Sequence, residues 1–230
     1  MDKRLFAEKN TLAKKFEQMD IILNILRRGN EDDCAEKILK EPDSKQLIKA
    51  ALILMFYNAI EGTMNNLMYA FFDIMINRNM DINKLSKELQ IIYCRHSLKK
   101  RNLDINANNV GNVLSEHFAE VRLADYQQLS NTKPFFSGNL DSQGIIEVSK
   151  LIGITLDERK FRVPSLKTIK DKRNALAHGD VEFKDACAIM SIQDMEAMRN
   201  DLKKYLDDLI DVYEEEIDNL IRTNASVKTS

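Results

Sequence analysis

Apolar residues return every three to four positions through the first segment, Asp2 to Arg28, where Leu5, Leu12, Phe16, Met19, Ile22, Leu23 and Leu26 share a face and Gly29-Asn30 ends the pattern. That spacing predicts an amphipathic helix. Asp43, with Gln46 three residues on, opens a longer run to about Asn77 that is apolar on nearly every face, as befits the buried central helix of a fold. Its exceptions, Asn58, Glu61, Gly62, Asn65 and Tyr69, project onto one stripe when each residue turns about 100°. Asp81 to Leu98 is again helical in pattern. Asn102 to Asn112 reads as an Asn-rich loop, a short amphipathic segment covers Val113 to Leu123, and Asp125 to Leu140 reads as irregular around Phe135-Phe136.

A short helix is expected from Asp141 to Ile152, stopped by Gly153. Ser165 then stands as the N-cap of a helix over Leu166 to His178, stopped by Gly179. Ser191, with Asp194 three residues later, starts the last helix, which runs to about Arg222 with Met195, Met198, Leu202, Leu206, Leu209, Tyr213, Ile217 and Leu220 on its apolar face. The reading is one domain over residues 1–222, with an irregular insertion at about 102–162 and a frayed tail over 223–230.

Composition agrees with the pattern. The 230 residues are 44% apolar and 30% charged, with 34 basic and 36 acidic side chains, which excludes a disordered chain. Only 7 Gly and 3 Pro leave little punctuation for a β-sandwich or barrel. Cys34, Cys94 and Cys187 are odd in number and widely separated, so neither a disulfide framework nor a zinc site is indicated and a reducing cytoplasm fits. The longest apolar stretch, Ala50 to Tyr57, is shorter than a membrane span, and no signal-peptide run follows Met1. With a net charge of −2, nucleic acid would have to be held by a local patch.

The candidate chemistry lies in Lys170-Asp171-Lys172-Arg173-Asn174-Ala175-Leu176-Ala177-His178-Gly179. An Arg followed by a His at this distance arises readily by chance, so helical geometry has to carry the reading. Leu166, Ile169, Arg173 and Leu176 fall within about 80° of one another, which turns Arg173 toward the core-facing stripe. A guanidinium there needs an anionic partner, and Glu61 of the central stripe is the expected one. Asn174 and His178 are four apart and share a face, while Ala175 and Ala177 permit close approach of another surface. The bland alternative is a structural ion pair at Arg173 and a capping imidazole at His178.

Other groups are weaker candidates. Lys167, Lys170 and Lys172 flank the same face, and Arg95, Lys99, Lys100 and Arg101 form the densest basic stretch, able to hold an RNA backbone or simply to solvate a helix end. His96 and His117 have no partner at metal-ligand spacing. Phe135 and Phe136 anchor a loop or stack on bases, and Met55, Met64, Met68 and Met75 read as core fillers.

The run Arg173-Asn174-Ala175-Leu176-Ala177-His178 resembles the R-x4-6-H motif of the HEPN superfamily, in which a polar residue often follows the Arg. The flanking Ile169 to Lys172, Gly179-Asp180, the long last helix and Ala59-Ile60-Glu61-Gly62 are similar to one prokaryotic nuclease branch of that superfamily. The resemblance implies an all-α helical bundle with long central and C-terminal helices. It further implies a metal-independent endoribonuclease with no cofactor, in which Arg173, Asn174 and His178 act and Glu61 and Lys170 support them. A homodimer facing its two motifs into one cleft is implied too, as is a setting as a toxin or antiviral effector with a cognate antitoxin or defence partner. The rival readings are a non-catalytic RNA- or nucleotide-binding module and a helical protein-interaction adaptor. Residues 102–162 match no motif of the family.

Overall fold

The computed structural model describes residues 3–28, 41–132 and 134–225. Those residues form α1 (Lys3–Arg28), α2 (Pro42–Asn77), α3 (Lys87–Ser97), α4 (Val110–His117), α5 (Tyr126–Thr132), α6 (Ser142–Leu151), α7 (Glu158–Phe161), α8 (Pro164–His178), α9 (Phe183–Ala186) and α10 (Ile192–Ala225), with 3-10 turns at Ile82–Lys84 and Lys99–Arg101. No strand occurs among the described residues, and the fold is all-α. The stop expected at Gly29-Asn30, Cys34 and the end of the tail lie outside the described residues.

The hub is α2, which α1, α5, α8, α9 and α10 all touch. Leu52, Ile53, Phe56, Ile60, Met64, Leu67, Met68 and Phe72 are fully buried along it. By length and composition α2 is apolar enough to cross a membrane, and here 56% of its most apolar window is buried inside the fold. Lys49 donates to the Met190 carbonyl and Met64 meets the Tyr213 hydroxyl, so α10 runs parallel to α2. Helix α1 runs antiparallel to α10, since Lys9 pairs with Asp211 and Glu214 at one end and Arg27 with Glu196 at the other. These exposed pairs set register more than they stabilise.

Three helix starts show how local chemistry decides a boundary. Ser191 and Asp194 cap α10 reciprocally, with each backbone N–H donating to the other side chain, as their spacing predicts. Proline overrides the expected caps at the other two. Pro42 takes the first turn of α2, which makes Glu41 the N-cap and leaves Asp43 inside the helix. Likewise Pro164 makes Val163 the N-cap of α8, and the Ser165 hydroxyl donates to Asp201 of α10 instead.

The segment expected to be irregular is built differently from that reading. Between residues 102 and 162 the chain makes α4 to α7: α6 matches the short helix expected from Asp141 to Ile152 and α4 overlaps the amphipathic segment expected over Val113 to Leu123, while α5 and α7, of seven and four residues, are too short for a hydrophobic period to declare itself. Phe135 anchors the loop after α5, with its ring 5.5 Å from Phe72 and 5.6 Å from Tyr126. Helix α6 is tied to α10 by a buried hydrogen bond of 3.0 Å between the Ser149 and Tyr213 hydroxyls. The chain between α5 and α6 is thereby held between α2 and α10.

Candidate functional site

Helix α8 buries Leu166, Ile169 and Leu176 and carries Arg173 on the same face, half-buried. The guanidinium lies over the Tyr57 ring of α2, 4.4 Å from its centroid, an arrangement worth up to about 2 kcal/mol when desolvated. Its Nη1 donates to the Gly138 carbonyl at 3.3 Å and to the Asn174 Oδ1 at 3.0 Å. The ion pair expected with Glu61 is not formed: among the described residues no carboxylate lies within 4.0 Å of Arg173. The Glu61 carboxylate reaches the same place from α2, because a Cβ at Gly138 would stand 3.3 Å from its Oε1 and 4.0 Å from Arg173 Nη2. Gly138 has a φ of 66°, and a side chain there would also crowd that carboxylate.

Sequence reasoning missed the collar that surrounds these groups. The four residues Gly138 to Asp141 wrap α8 and α2 with one contact each. Gly138 accepts from Arg173, Asn139 Oδ1 accepts from Asn174 Nδ2, the Leu140 amide donates to the Tyr57 hydroxyl at 3.1 Å, and Asp141 pairs with Lys170. Asp141 is also the N-cap of α6, accepting from the Gly144 amide at 3.0 Å. The only local signal for the collar was this cap, an Asp three residues before Gly144.

Burial pushes the Asp141 pKa up, but the hydrogen bonds from Lys170 and Gly144 and the charge of Lys170 outweigh it and hold the carboxyl below its ordinary value. A carboxyl depressed in the folded state stabilises the fold above its unfolded pKa and loses that contribution as pH falls through the folded one. The thermal midpoint of the wild type is therefore expected to fall between about pH 5 and pH 3 more steeply than that of Asp141→Asn, which keeps the cap but not the charge. Parallel melts across that range check it, and equal slopes would show that the pair contributes nothing.

His178 is the last residue of α8, exposed, with no side-chain partner among the described residues. Gly179 ends the helix in the left-handed region at a φ of 73°, and the Asp180 amide closes the turn on the Ala175 carbonyl at 2.9 Å. Four residues lie between Arg173 and His178, whose backbone positions are about 7.5 Å apart along the helix axis. Asn174 joins them, being bonded to Arg173 and one turn before His178. A family model for MAE_28990-like HEPN proteins matches residues 5–220. The chain belongs to the MAE_28990-like HEPN family. No curated protein and no solved structure matches it.

The basic residues of this HEPN chain divide by what they already hold. Lys167 pairs with Asp171, Lys170 with Asp141, and Lys172 donates to the Ala186 carbonyl, so the three lysines flanking the motif are internally engaged. Arg95 donates to the Ile105 carbonyl and Arg101 pairs with Glu120, while Lys99 and Lys100 are exposed on the 3-10 turn after α3. These four lie on α3 and the turn that follows it. On the polar stripe of α2, Asn65 accepts from the Tyr126 hydroxyl at 3.0 Å, and the Tyr69 ring meets Tyr126 edge-on. His117 stands 3.4 Å from Glu120. Among the described residues no cluster of three or more His, Cys, Asp or Glu is placed to hold a metal.

Proposed function

We propose that this HEPN chain is a metal-independent endoribonuclease whose reacting groups are Arg173, Asn174 and His178. The observation that carries the reading is a half-buried guanidinium with no carboxylate in ion-pair range among the described residues. Such a cation is costly unless an anion meets it, and Nη2 and Nε of Arg173 make no hydrogen bond to a described residue. A phosphodiester supplies that anion in the planar, two-point geometry a guanidinium prefers. The adaptor reading calls instead for an internal ion pair at this position.

RNA provides its own nucleophile. The 2′-oxygen attacks the adjacent phosphorus, the bond from phosphorus to the 5′-oxygen breaks, and the products are a 2′,3′-cyclic phosphate and a 5′-hydroxyl. His178 exchanges the proton, and Arg173 donates to the phosphoryl oxygens as their charge grows. Asn174 holds the guanidinium to the collar through Asn139. One proton must leave the 2′-oxygen and another must reach the 5′-oxygen, so two imidazoles serve better than one. A homodimer with facing motifs supplies both, and the exposed Phe183 of α9 and Ile189 in the turn after it, the latter 95% accessible, offer apolar surface for it. The biological setting that goes with this chemistry is a toxin or antiviral effector restrained by a cognate antitoxin or defence partner.

The test is cleavage of mixed RNA by the purified chain in excess chelator. Wild type is expected to leave cyclic-phosphate ends and Arg173→Ala to leave the RNA intact; cleavage of equal rate by Arg173→Ala would remove this site from the reaction.

A further inference from the structure

A cavity of about 250 Å³ opens between α3, α5, the loop after α5 and the end of α6. Ile92, Leu129, Phe135 and Leu151 make most of its lining, and Arg95 and His96 are its polar members. An apolar cavity of about 150 Å³ is large enough for benzene, so this one admits a bicyclic ring or a medium alkyl chain. Two nitrogens of Arg95 donate to the Ile105 carbonyl, which fixes the guanidinium at the rim. Burial, and then the charge of Lys99, push the His96 pKa below its ordinary value against the pull of Asp125. Arg95 is therefore the cation a ligand meets at neutral pH.

A cationic occupant would be repelled by that guanidinium, and a wholly apolar one would leave it without a counter-charge. A carboxylate on an apolar body satisfies both halves of the lining. We propose that this cavity is a regulatory site for a small amphipathic carboxylate, and that its occupancy steadies the collar around Arg173. The link is short. Phe135 lines the cavity and packs on Phe72 and Tyr126, and three residues later the Gly138 carbonyl receives the Arg173 guanidinium. A ligand packed on Phe135 in this position favours the loop conformation that forms the collar. The regulatory half rests on the function proposed for Arg173; the binding half does not.

The test is calorimetric titration of the full chain with octanoate, octan-1-ol and octylamine, followed by hydrogen exchange over residues 134–141. Octanoate is expected to bind one per chain and octylamine not at all. Arg95→Gln and Leu151→Glu both change exposed side chains, and each is expected to weaken octanoate by about tenfold; Arg95→Gln leaves octanol unchanged, whereas Leu151→Glu, which removes apolar lining, weakens octanol as well. Octanoate is expected to slow exchange at the Leu140 amide, which donates to Tyr57. Binding of octylamine equal to that of octanoate, or octanoate affinity unchanged in both variants, would overturn the site. Binding that leaves exchange over 134–141 unaltered would overturn the coupling. Neither readout depends on cleavage, so the ribonuclease reading stands or falls separately.

Discussion

His178→Ala is expected to lower RNA cleavage by about 10²- to 10⁴-fold, the range for losing a positioned proton-transfer group, with the thermal midpoint unchanged. The separation of activity from stability follows from where the residue sits. Its imidazole is exposed and has no side-chain partner among the described residues, and α8 is closed by the backbone bonds of Gly179 and Asp180 rather than by the side chain. A surface substitution of that kind shifts stability by no more than about 0.5 kcal/mol. Arg173→Ala differs, because it also removes the stack on Tyr57 and the bond to Gly138, so activity and midpoint should fall together. Arg173→Lys keeps the charge without the planar stack and should not restore the rate. Steady-state cleavage with parallel melts reads both quantities. Full activity in His178→Ala would take the imidazole out of the reaction.

Ile169→Ala is expected to destabilise the fold by about 2–5 kcal/mol, the usual cost of emptying a fully buried aliphatic site. Ile169 lies one turn before Arg173 on the buried face of α8, so this is the packing that holds the guanidinium over Tyr57. For a chain of this length the midpoint should drop by roughly 4–20 °C, with the denaturant slope unchanged because the same surface is exposed on unfolding. Urea and thermal unfolding measure it. A loss below about 1 kcal/mol would mean that α8 is not packed through Ile169.

The long elements were legible because their patterns ran far enough to speak for themselves. Helix α2 is apolar on nearly all faces and is the hub, and Ser191 with Asp194 announced α10 through bonds they make. Gly179 marked the end of α8 for the reason that it is left-handed there. Boundaries failed where a proline outranked a good capping residue, at Pro42 and Pro164. Of the short helices of residues 102–162, α6 was legible from its Asp141 start and Gly153 stop and α4 in part from its amphipathic pattern, whereas α5 and α7 went unread because seven and four residues hold too few turns for a period to show. At the site, the Arg173 to His178 run could be read directly, since its members share one helix. The collar could not. Gly138 meets Arg173 across 35 residues and Leu140 meets Tyr57 across 83, and nothing local to either partner announces such a contact.

The ribonuclease proposal is tested most directly by the fate of one oligoribonucleotide and its fully 2′-O-methylated twin, each incubated with the wild type in excess chelator and analysed for the ends produced. The ribose strand should be cut to fragments ending in 2′,3′-cyclic phosphate and the methylated strand should remain whole. Cutting of the methylated strand, or cutting of the ribose strand that persists in the Arg173→Ala/His178→Ala double variant, would contradict it.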